Sequence, residues 1–186
     1  MSPNSINLTP LASLKVSRHY IPRHISIPNT SIQNKPLLIY HQAFNPSSQL
    51  TPSGIEEHIQ GVGMFIPQWR YTVYRTTHFH STTHELLVVY KGRARLLFGG
   101  EDNPGKVEVE VSKGDAILIP AGVGHRLLED KEGGFEMVGS YPVGAAKWDM
   151  CYGKEGGSEN ADERISKLGW MDVDPLYGRE GPAVES

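Results

Sequence analysis

The fold of this chain is decided by residues 78–92, which read HFHSTTHELLVVYKG. Side chains alternate between the two faces of a β-strand, so His78 and His80 project from the same face. A short polar turn follows, and Glu85 then opens an apolar run typical of a buried strand. If the two strands pair as a hairpin, the Glu85 carboxylate reaches the edge from which both imidazoles project. The stretch therefore predicts clustered metal-binding side chains at one end of a sheet.

A second stretch, residues 114–125, supplies a further imidazole and reads GDAILIPAGVGH. Its last residue, His125, follows a turn rich in glycine and begins another strand. Three imidazoles and one carboxylate suit Fe(II), Mn(II), Ni(II), Co(II) or Zn(II), and they leave coordination positions open for water or substrate. The sequence thus predicts one divalent metal ion, with Fe(II) or Mn(II) favoured, held by His78, His80, Glu85 and His125.

The two stretches resemble the two sequence motifs of the cupin superfamily. Residues 78–92 fit the pattern H-x-H-x4-E-x6-G, and residues 114–125 fit G-x5-P-x-G-x2-H, in the expected order with 21 residues between them. Thr72 and Glu129 stand where the family usually has glycine and asparagine, but neither position is a ligand in the family. The resemblance implies an all-β fold, the double-stranded β-helix or jelly-roll barrel, with short peripheral helices. It also implies the same four metal ligands.

A narrower resemblance is to the YjlB-type single-domain cupins of bacteria and fungi. It extends from roughly Pro36 to Pro182 and does not name a reaction. Cupins commonly form dimers, so the resemblance also implies a homodimer. The segments that carry it are residues 80–85, 120–125, 141–144, 148–149 and 174–178.

The remaining sequence predicts three regions: an extended or flexible arm over residues 1–35, the barrel over 36–150, and a helix and tail over 151–186. Within the barrel, residues 107–111 read VEVEV, the alternation of a half-buried antiparallel strand. Residues 69–80 are rich in β-branched and aromatic side chains, which predicts β-structure. Helices are expected at residues 53–61, with Ser53 as the cap, and at residues 158–168.

Composition restricts the classes of partner and the compartment. A formal net charge of −3 provides no basic field for nucleic acid or anionic lipid. No apolar run approaches the about 20 residues that span a bilayer. Cys151 is the only cysteine, which excludes an intramolecular disulfide and a thiolate zinc site. We expect a cytoplasmic protein; the absence of acidic residues before Glu56 keeps a mitochondrial transit peptide as an alternative.

The other side chains near the predicted ligands are assigned to one face of a strand or the other, because side chains alternate between the two faces. Counting back in twos from His78 puts Tyr74 on the metal-binding face, where its hydroxyl is a candidate catalytic hydrogen-bond donor to a small-molecule substrate. His84 is adjacent to Glu85 and therefore points to the opposite face of the strand. It is interpreted as a hydrogen-bonded or surface histidine. The alternatives are a hydrogen-bond partner of a metal ligand or a proton shuttle. The predicted walls of the substrate pocket are Thr76, Leu87, Val89 and Leu127.

Three functions remain open from the sequence. The leading hypothesis is an oxygen-using, dioxygenase-like oxidoreductase with a metal centre of three histidines and a glutamate. The second is an isomerase or decarboxylase that uses the ion as a Lewis acid. The third is a metal-binding or metabolite-binding protein without catalytic activity. The motifs identify the site, but the fold alone does not choose among these reactions.

Overall fold

The structure is a computed structural model that describes residues 6–46, 49–154 and 159–186. In these residues the chain forms strands arranged in two antiparallel sheets, two α-helices and a short 3₁₀ helix at Leu11–Ser13. The helices are α1 (Pro52–Val62) and α2 (Ala161–Ser166). The strands are β1 (Lys15–His19), β2 (Leu37–His41), β3 (Phe65–Tyr71), β4 (Glu85–Lys91), β5 (Arg93–Phe98), β6 (Val107–Ser112), β7 (Ala116–Ile119), β8 (His125–Asp130) and β9 (Glu136–Pro142).

The chain crosses repeatedly between the two sheets. One sheet has six strands in the order β1-β2-β7-β4-β9-β3, and the other has three in the order β6-β5-β8. Neighbours in the larger sheet are far apart in sequence, as β4 pairs with both β7 and β9. This antiparallel arrangement confirms the predicted all-β jelly-roll fold with short peripheral helices.

The four central strands of the larger sheet, β2, β7, β4 and β9, are buried on both faces, which explains their mostly apolar sequences. On one face Leu87, Val89 and Ile117 join the core that is shared with the smaller sheet. On the other face Leu86 and Leu118 pack in a second core with side chains of α1 and of the C-terminal segment. A strand that is covered on both faces reads as a continuous hydrophobic run.

The smaller sheet has one buried and one exposed face. Along β6, Val111 is buried whereas Glu108 and Glu110 are exposed, which confirms the predicted alternation. Glu110 also pairs with the exposed Arg93 of β5 at 3.2 Å. Arg93 and Arg95 therefore belong to the charged outer surface of the barrel, because side chains at alternate positions of β5 share a face.

The N-terminal segment, which the sequence predicts to be extended or flexible, contributes a strand to the larger sheet. β1 lies at the edge of the six-stranded sheet and pairs in antiparallel register with β2, with Val16 opposite Tyr40. The sheet thus begins before residue 36. The sequence KVSRH did not indicate a strand because it contains a single apolar residue, and pairing with β2 overrides its weak β-propensity.

The two helices are shorter or capped differently than predicted. The N-cap of α1 is Thr51, whose hydroxyl accepts a hydrogen bond from the Gly54 amide at 3.2 Å, and not Ser53. The second helix, α2, covers only Ala161–Ser166, and the predicted start at Ser158 lies outside the described residues. Among the described residues, no helix is long and apolar enough to cross a membrane.

The β-structure predicted over residues 69–80 is present at both ends but interrupted in the middle. β3 ends at Tyr71, and the backbone bends at residues 75–76 before it rejoins β-type pairing at His78 and Phe79. The regular alternation of side chains between the two faces is therefore interrupted between residue 74 and His78. This break changes the placement of the side chains that were assigned by counting in twos.

Two glycines of the second motif shape the turns before and after β7. Gly114 has φ 101°, and a Cβ atom there would lie 2.5 Å from the carbonyl oxygen of Phe44. Gly122 has φ 94°, and a Cβ would lie 3.0 Å from the carbonyl oxygen of Asn29. Only glycine adopts such backbone angles without strain in so little space. These turns place the start of β8 beside residues 78–80.

Candidate metal centre

Three histidines meet inside one end of the barrel. His78, His80 and His125 are buried, and one ligand nitrogen from each lies within 4.8 Å of the others. His78 and His125 are joined by a pair of backbone hydrogen bonds of 3.2 and 2.8 Å, which brings their ring centroids to 4.3 Å. Pairing between two segments 47 residues apart therefore brings the imidazoles of both motifs together.

All three imidazoles are held through Nδ1 by a backbone carbonyl. The acceptors are the carbonyl oxygens of Thr76 at 2.9 Å, Asp149 at 2.5 Å and Val123 at 2.9 Å, for His78, His80 and His125 respectively. A carbonyl oxygen only accepts, so each Nδ1 carries the hydrogen and each Nε2 of a neutral ring carries the lone pair. Metal-binding histidines are commonly fixed in this tautomer by the same kind of contact.

Glu85 lies beside two of these imidazoles. It opens β4, and its Oε2 is 3.5 Å from Nε2 of His80 and 3.3 Å from Nε2 of His125. Its other oxygen, Oε1, accepts a hydrogen bond of 2.8 Å from the hydroxyl of Tyr141. That hydroxyl in turn accepts a bond of 2.9 Å from Nε1 of Trp69. The carboxylate is therefore oriented with one oxygen toward the histidines.

Burial and mutual contacts shift the ionisation of the cluster. Burial, with the nearby His125, lowers the pKa of His78 to about 3, so that its imidazole is neutral at neutral pH. Burial alone would raise the pKa of Glu85, but contacts with His125 and His80 hold that pKa well below its usual range. Burial opposes the charged form of His80 as well, yet the Glu85 carboxylate raises the pKa of that imidazole.

The donor set fits a divalent cation. Inward-facing nitrogen lone pairs and a buried carboxylate repel one another unless a positive charge lies between them. Three imidazoles and a carboxylate match the ligand preferences of first-row divalent metals. The three buried histidines could thus bind a metal ion, and Glu85 lies in position to join them.

The orientation of His80 depends on a remote loop. Its Nδ1 bonds to the main chain of Asp149, which is 69 residues further along the chain. The Asp149 carboxylate accepts bonds of 2.7 and 2.5 Å from the amide and hydroxyl of Ser81. Arg164 of α2 donates to the same Ser81 hydroxyl at 2.7 Å. This network ties the loop and the C-terminal helix to the turn that carries His80.

A cavity of about 350 Å³ opens onto the four predicted ligands. Tyr74 lies at its mouth with 53% of its surface exposed, and its ring centroid is 5.7 Å from that of His78. Leu87 is also in the wall, as predicted from the sequence. Apart from Tyr74, sequence reasoning missed the aromatic members of the wall, although Tyr141 and Trp148 lie in segments that resemble the YjlB-type proteins. The non-ligand wall residues are Trp69, Arg70, Tyr71, Thr72, Val73, Tyr74, Leu87, Tyr141, Trp148 and Met150.

Three predicted wall residues lie elsewhere. Thr76 is exposed and outside the wall, because the bend at residues 75–76 interrupts the strand phase. Its contribution is the carbonyl oxygen that holds His78. Val89 and Leu127 are buried in the core below the cavity and do not line it.

His84 is buried on the other side of β4 from the metal centre. Its Nδ1 accepts a hydrogen bond of 3.0 Å from the Ala121 amide, and its Nε2 donates to the Gly169 carbonyl at 2.8 Å. Its ring also packs edge-on against Trp170, with centroids 5.1 Å apart. Both ring nitrogens are thus engaged by backbone groups, as in a structural histidine.

Comparisons with known proteins agree with this geometry. A family model described as "Cupin domain" matches residues 72–138. The chain is 32% identical over 167 residues to "Uncharacterized protein YjlB" from Bacillus subtilis (strain 168), a match that covers 90% of this chain and 93% of the relative.

The solved structures that this chain matches include larger plant proteins. Procruciferin, an 11S globulin from Brassica napus, is 13% identical with a TM-score of 0.36, and the match covers 81% of this chain and 30% of that one. Vicilin from Solanum lycopersicum (tomato) is 16% identical with a TM-score of 0.35, covering 63% and 29% respectively. This chain spans less than a third of either protein. The motifs, the family match and the YjlB relative together show that the chain belongs to the cupin superfamily and is YjlB-like.

Proposed function

We propose that this cupin is a metal-dependent enzyme that acts on a small organic molecule, as an oxygen-using oxidoreductase of the dioxygenase type. The observation that carries the proposal is the position of the predicted ligands at the floor of a cavity. Their inward-facing nitrogens are reached from the side where the cavity of about 350 Å³ lies. A purely structural metal site is closed by protein ligands, whereas catalytic sites keep open positions.

His78, His80, Glu85 and His125 would hold the ion, with Fe(II) or Mn(II) as the expected metal. Such an ion would supply a Lewis-acidic centre with room for a small-molecule substrate and dioxygen. Other groups of the protein orient these four ligands. The backbone carbonyls keep Nε2 of each histidine free of hydrogen, and the Tyr141 hydroxyl keeps Glu85 in one orientation.

The cavity wall supports this role by excluding water. Leu87, Val73 and Met150 contribute apolar side chains to the wall. Removal of water protects reactive species from hydrolysis and strengthens electrostatic interactions within the site. Tyr74 remains the candidate hydrogen-bond donor to the substrate, because its hydroxyl has no partner within the described part of the chain and lies at the mouth of the cavity.

The proposal is tested with protein purified without oxygen, analysed for metal and reloaded with Fe(II). Nitric oxide should bind the Fe(II) form and give an electron paramagnetic resonance signal, since four protein donors do not fill six positions. Oxygen uptake is then measured with phenols, diketones and keto acids. The His78→Ala/His125→Ala double variant is the matched control and should show neither the signal nor the uptake.

The outcomes separate the oxidoreductase from the Lewis-acid alternative. A fully loaded protein that gives no nitric oxide signal would contradict the oxygen-using proposal. Conversion of a diketone or keto acid without oxygen uptake would instead support an isomerase or decarboxylase. The cavity wall favours the oxidoreductase, since among its described residues Glu85 is the only carboxylate, and Glu85 is already engaged by Tyr141.

A further inference from the structure

The upper walls of the cavity are aromatic, and the polar atoms of two wall residues are already engaged. Nε1 of Trp69 donates to Tyr141, and the Tyr141 hydroxyl donates to Glu85. Trp148 stands on another side of the ligands, with its ring centroid 5.9 Å from that of His80. The carbon surfaces of these rings are left to contact a ligand. Flat aromatic ligands gain both apolar burial and favourable ring geometry in such surroundings.

The wall offers no free positive charge away from the metal centre. Among the described residues, Arg70 is the only wall residue with a cationic side chain. Its guanidinium makes two hydrogen bonds of 2.7 Å to the Glu56 carboxylate and one of 3.0 Å to Ser53. A carboxylate or phosphate on the distal part of a ligand would therefore enter the cavity without a counterion, which is unfavourable.

The floor of the cavity has the opposite preference. A divalent ion with three neutral imidazoles and the Glu85 carboxylate keeps a net charge of about +1, which suits an ionised hydroxyl or enol oxygen. Oxygen donors are expected at this end of the ligand only. At the mouth, Tyr71 and Tyr74 are 58% and 53% exposed, and their ring centroids lie 6.4 Å apart. They provide a further aromatic contact where the ligand enters.

We propose that the cavity binds a compact aromatic compound with adjacent oxygen donors at one end and no acidic group at the other. This inference deepens the proposed function and rests on it for the presence of the metal. The volume of about 350 Å³ is at the lower end of the range of small-molecule sites, about 300–1,000 Å³. One ring with small substituents fits within this space.

The test uses the full chain loaded with Zn(II), without oxygen, and two probes that differ by a single carboxylate. Isothermal titration calorimetry compares catechol with 3,4-dihydroxybenzoate. Catechol should bind at least about tenfold more tightly, because the added carboxylate finds no cation in the wall. The His78→Ala/His125→Ala variant should bind neither probe. Any binding that this variant shows would lie outside the metal centre.

Substitution of two tyrosines with similar exposure tests whether the aromatic ring at the mouth of the cavity contributes to ligand binding. Tyr74→Ala should weaken catechol binding about threefold to tenfold, the range of one lost aromatic contact. Tyr20→Ala removes a ring that is 55% exposed and does not line the cavity, and it should leave binding unchanged. Equal or tighter binding of 3,4-dihydroxybenzoate, no binding of catechol, or equal effects of the two substitutions would overturn the inference.

This test is separate from that of the proposed function, because Zn(II) does not exchange electrons with oxygen. Catechol binding with the expected selectivity, but no oxygen uptake by the Fe(II) form with any compound, would support the ligand class and contradict the oxidoreductase. Oxygen uptake restricted to acidic compounds would support the oxidoreductase and overturn the ligand class.

Discussion

The metal centre has two halves that are held in different ways. In the local half, His78 and His125 each bond through Nδ1 to the carbonyl oxygen two residues earlier, at Thr76 and Val123. In the remote half, His80 and Glu85 are held by groups far along the chain. Asp149 is 69 residues from His80, and Tyr141 is 56 residues from Glu85.

The difference indicates what each half requires. The local half needs only the backbone of two short segments, and any residue supplies a carbonyl oxygen. The remote half needs β9 and the loop after it to be in place, because they bring Tyr141 and Asp149 to the ligands. Side-chain substitutions outside the ligands should therefore weaken metal binding only when they affect the remote half.

The largest effect is expected from removing a histidine of either half. His80→Ala and His125→Ala should each lower the affinity for Zn(II) by more than about 100-fold. This loss is larger than the loss of about 10-fold to 100-fold that follows when a residue hydrogen-bonded to a metal ligand is replaced. Glu85→Ala should cost less, since water can replace a carboxylate oxygen. Titration against a competing chelator measures these affinities. An affinity within about tenfold of the wild type for either histidine variant would contradict the ligand assignment.

A smaller effect is expected from Tyr141→Phe, which leaves all four ligands in place. It removes the hydroxyl that orients Glu85 and leaves Nε1 of Trp69 without its acceptor. We expect a decrease of about 10-fold to 100-fold in Zn(II) affinity. The matched control is Tyr90→Phe, since the Tyr90 hydroxyl bonds to Glu136 at 2.5 Å, away from the centre. If both variants bind Zn(II) equally well, the remote half does not depend on Tyr141.

His84→Ala should leave Zn(II) affinity unchanged, although His84 is adjacent to Glu85. The substitution removes two buried hydrogen bonds and the contact with Trp170. The free energy of unfolding of the metal-free protein should therefore fall by about 2–4 kcal/mol. Urea unfolding measures this loss. A loss of metal comparable to that in His80→Ala would show that the turn before β4 is arranged differently.

The smallest effect is expected from Thr76→Ala. Thr76 contributes a backbone carbonyl to the local half, and its side chain is exposed. Both Zn(II) affinity and the free energy of unfolding should stay within about 0.5 kcal/mol of the wild type. Chelator competition and urea unfolding check this. A clear loss of affinity would mean that the threonine side chain, and not only its carbonyl, supports His78.

The same division explains which parts of the site could be predicted from the sequence. The candidate ligands and the turns with Gly114 and Gly122 lie within two short motifs, so the resemblance of these motifs to those of cupins indicated the centre. The partners of the remote half could not be read in this way. Tyr141 reaches Glu85 because β4 and β9 pair in antiparallel register, with Leu86 opposite Ser140. That register depends on packing between distant segments.

The elements of the fold, like the parts of the site, could be predicted only where the local sequence determines them. Apolar runs and the alternation in β6 predicted strands correctly, because burial of one or both faces leaves a direct pattern in the sequence. The interruption of β-structure within residues 69–80 could not be predicted, because β-branched and aromatic residues also suit an extended segment that bends. For the same reason, the prediction that Thr76 lines the pocket was wrong. β1 was missed because its pairing with β2 compensates for a polar sequence.

One divalent ion per chain should bind to His78, His80, Glu85 and His125. Elemental analysis of the full chain after saturation with Zn(II) and removal of excess metal measures this occupancy. We expect about one ion per chain for the wild type and for His84→Ala, and none for His78→Ala/His125→Ala. Full occupancy in the double variant, with the fold retained by circular dichroism, would show that the ion binds elsewhere.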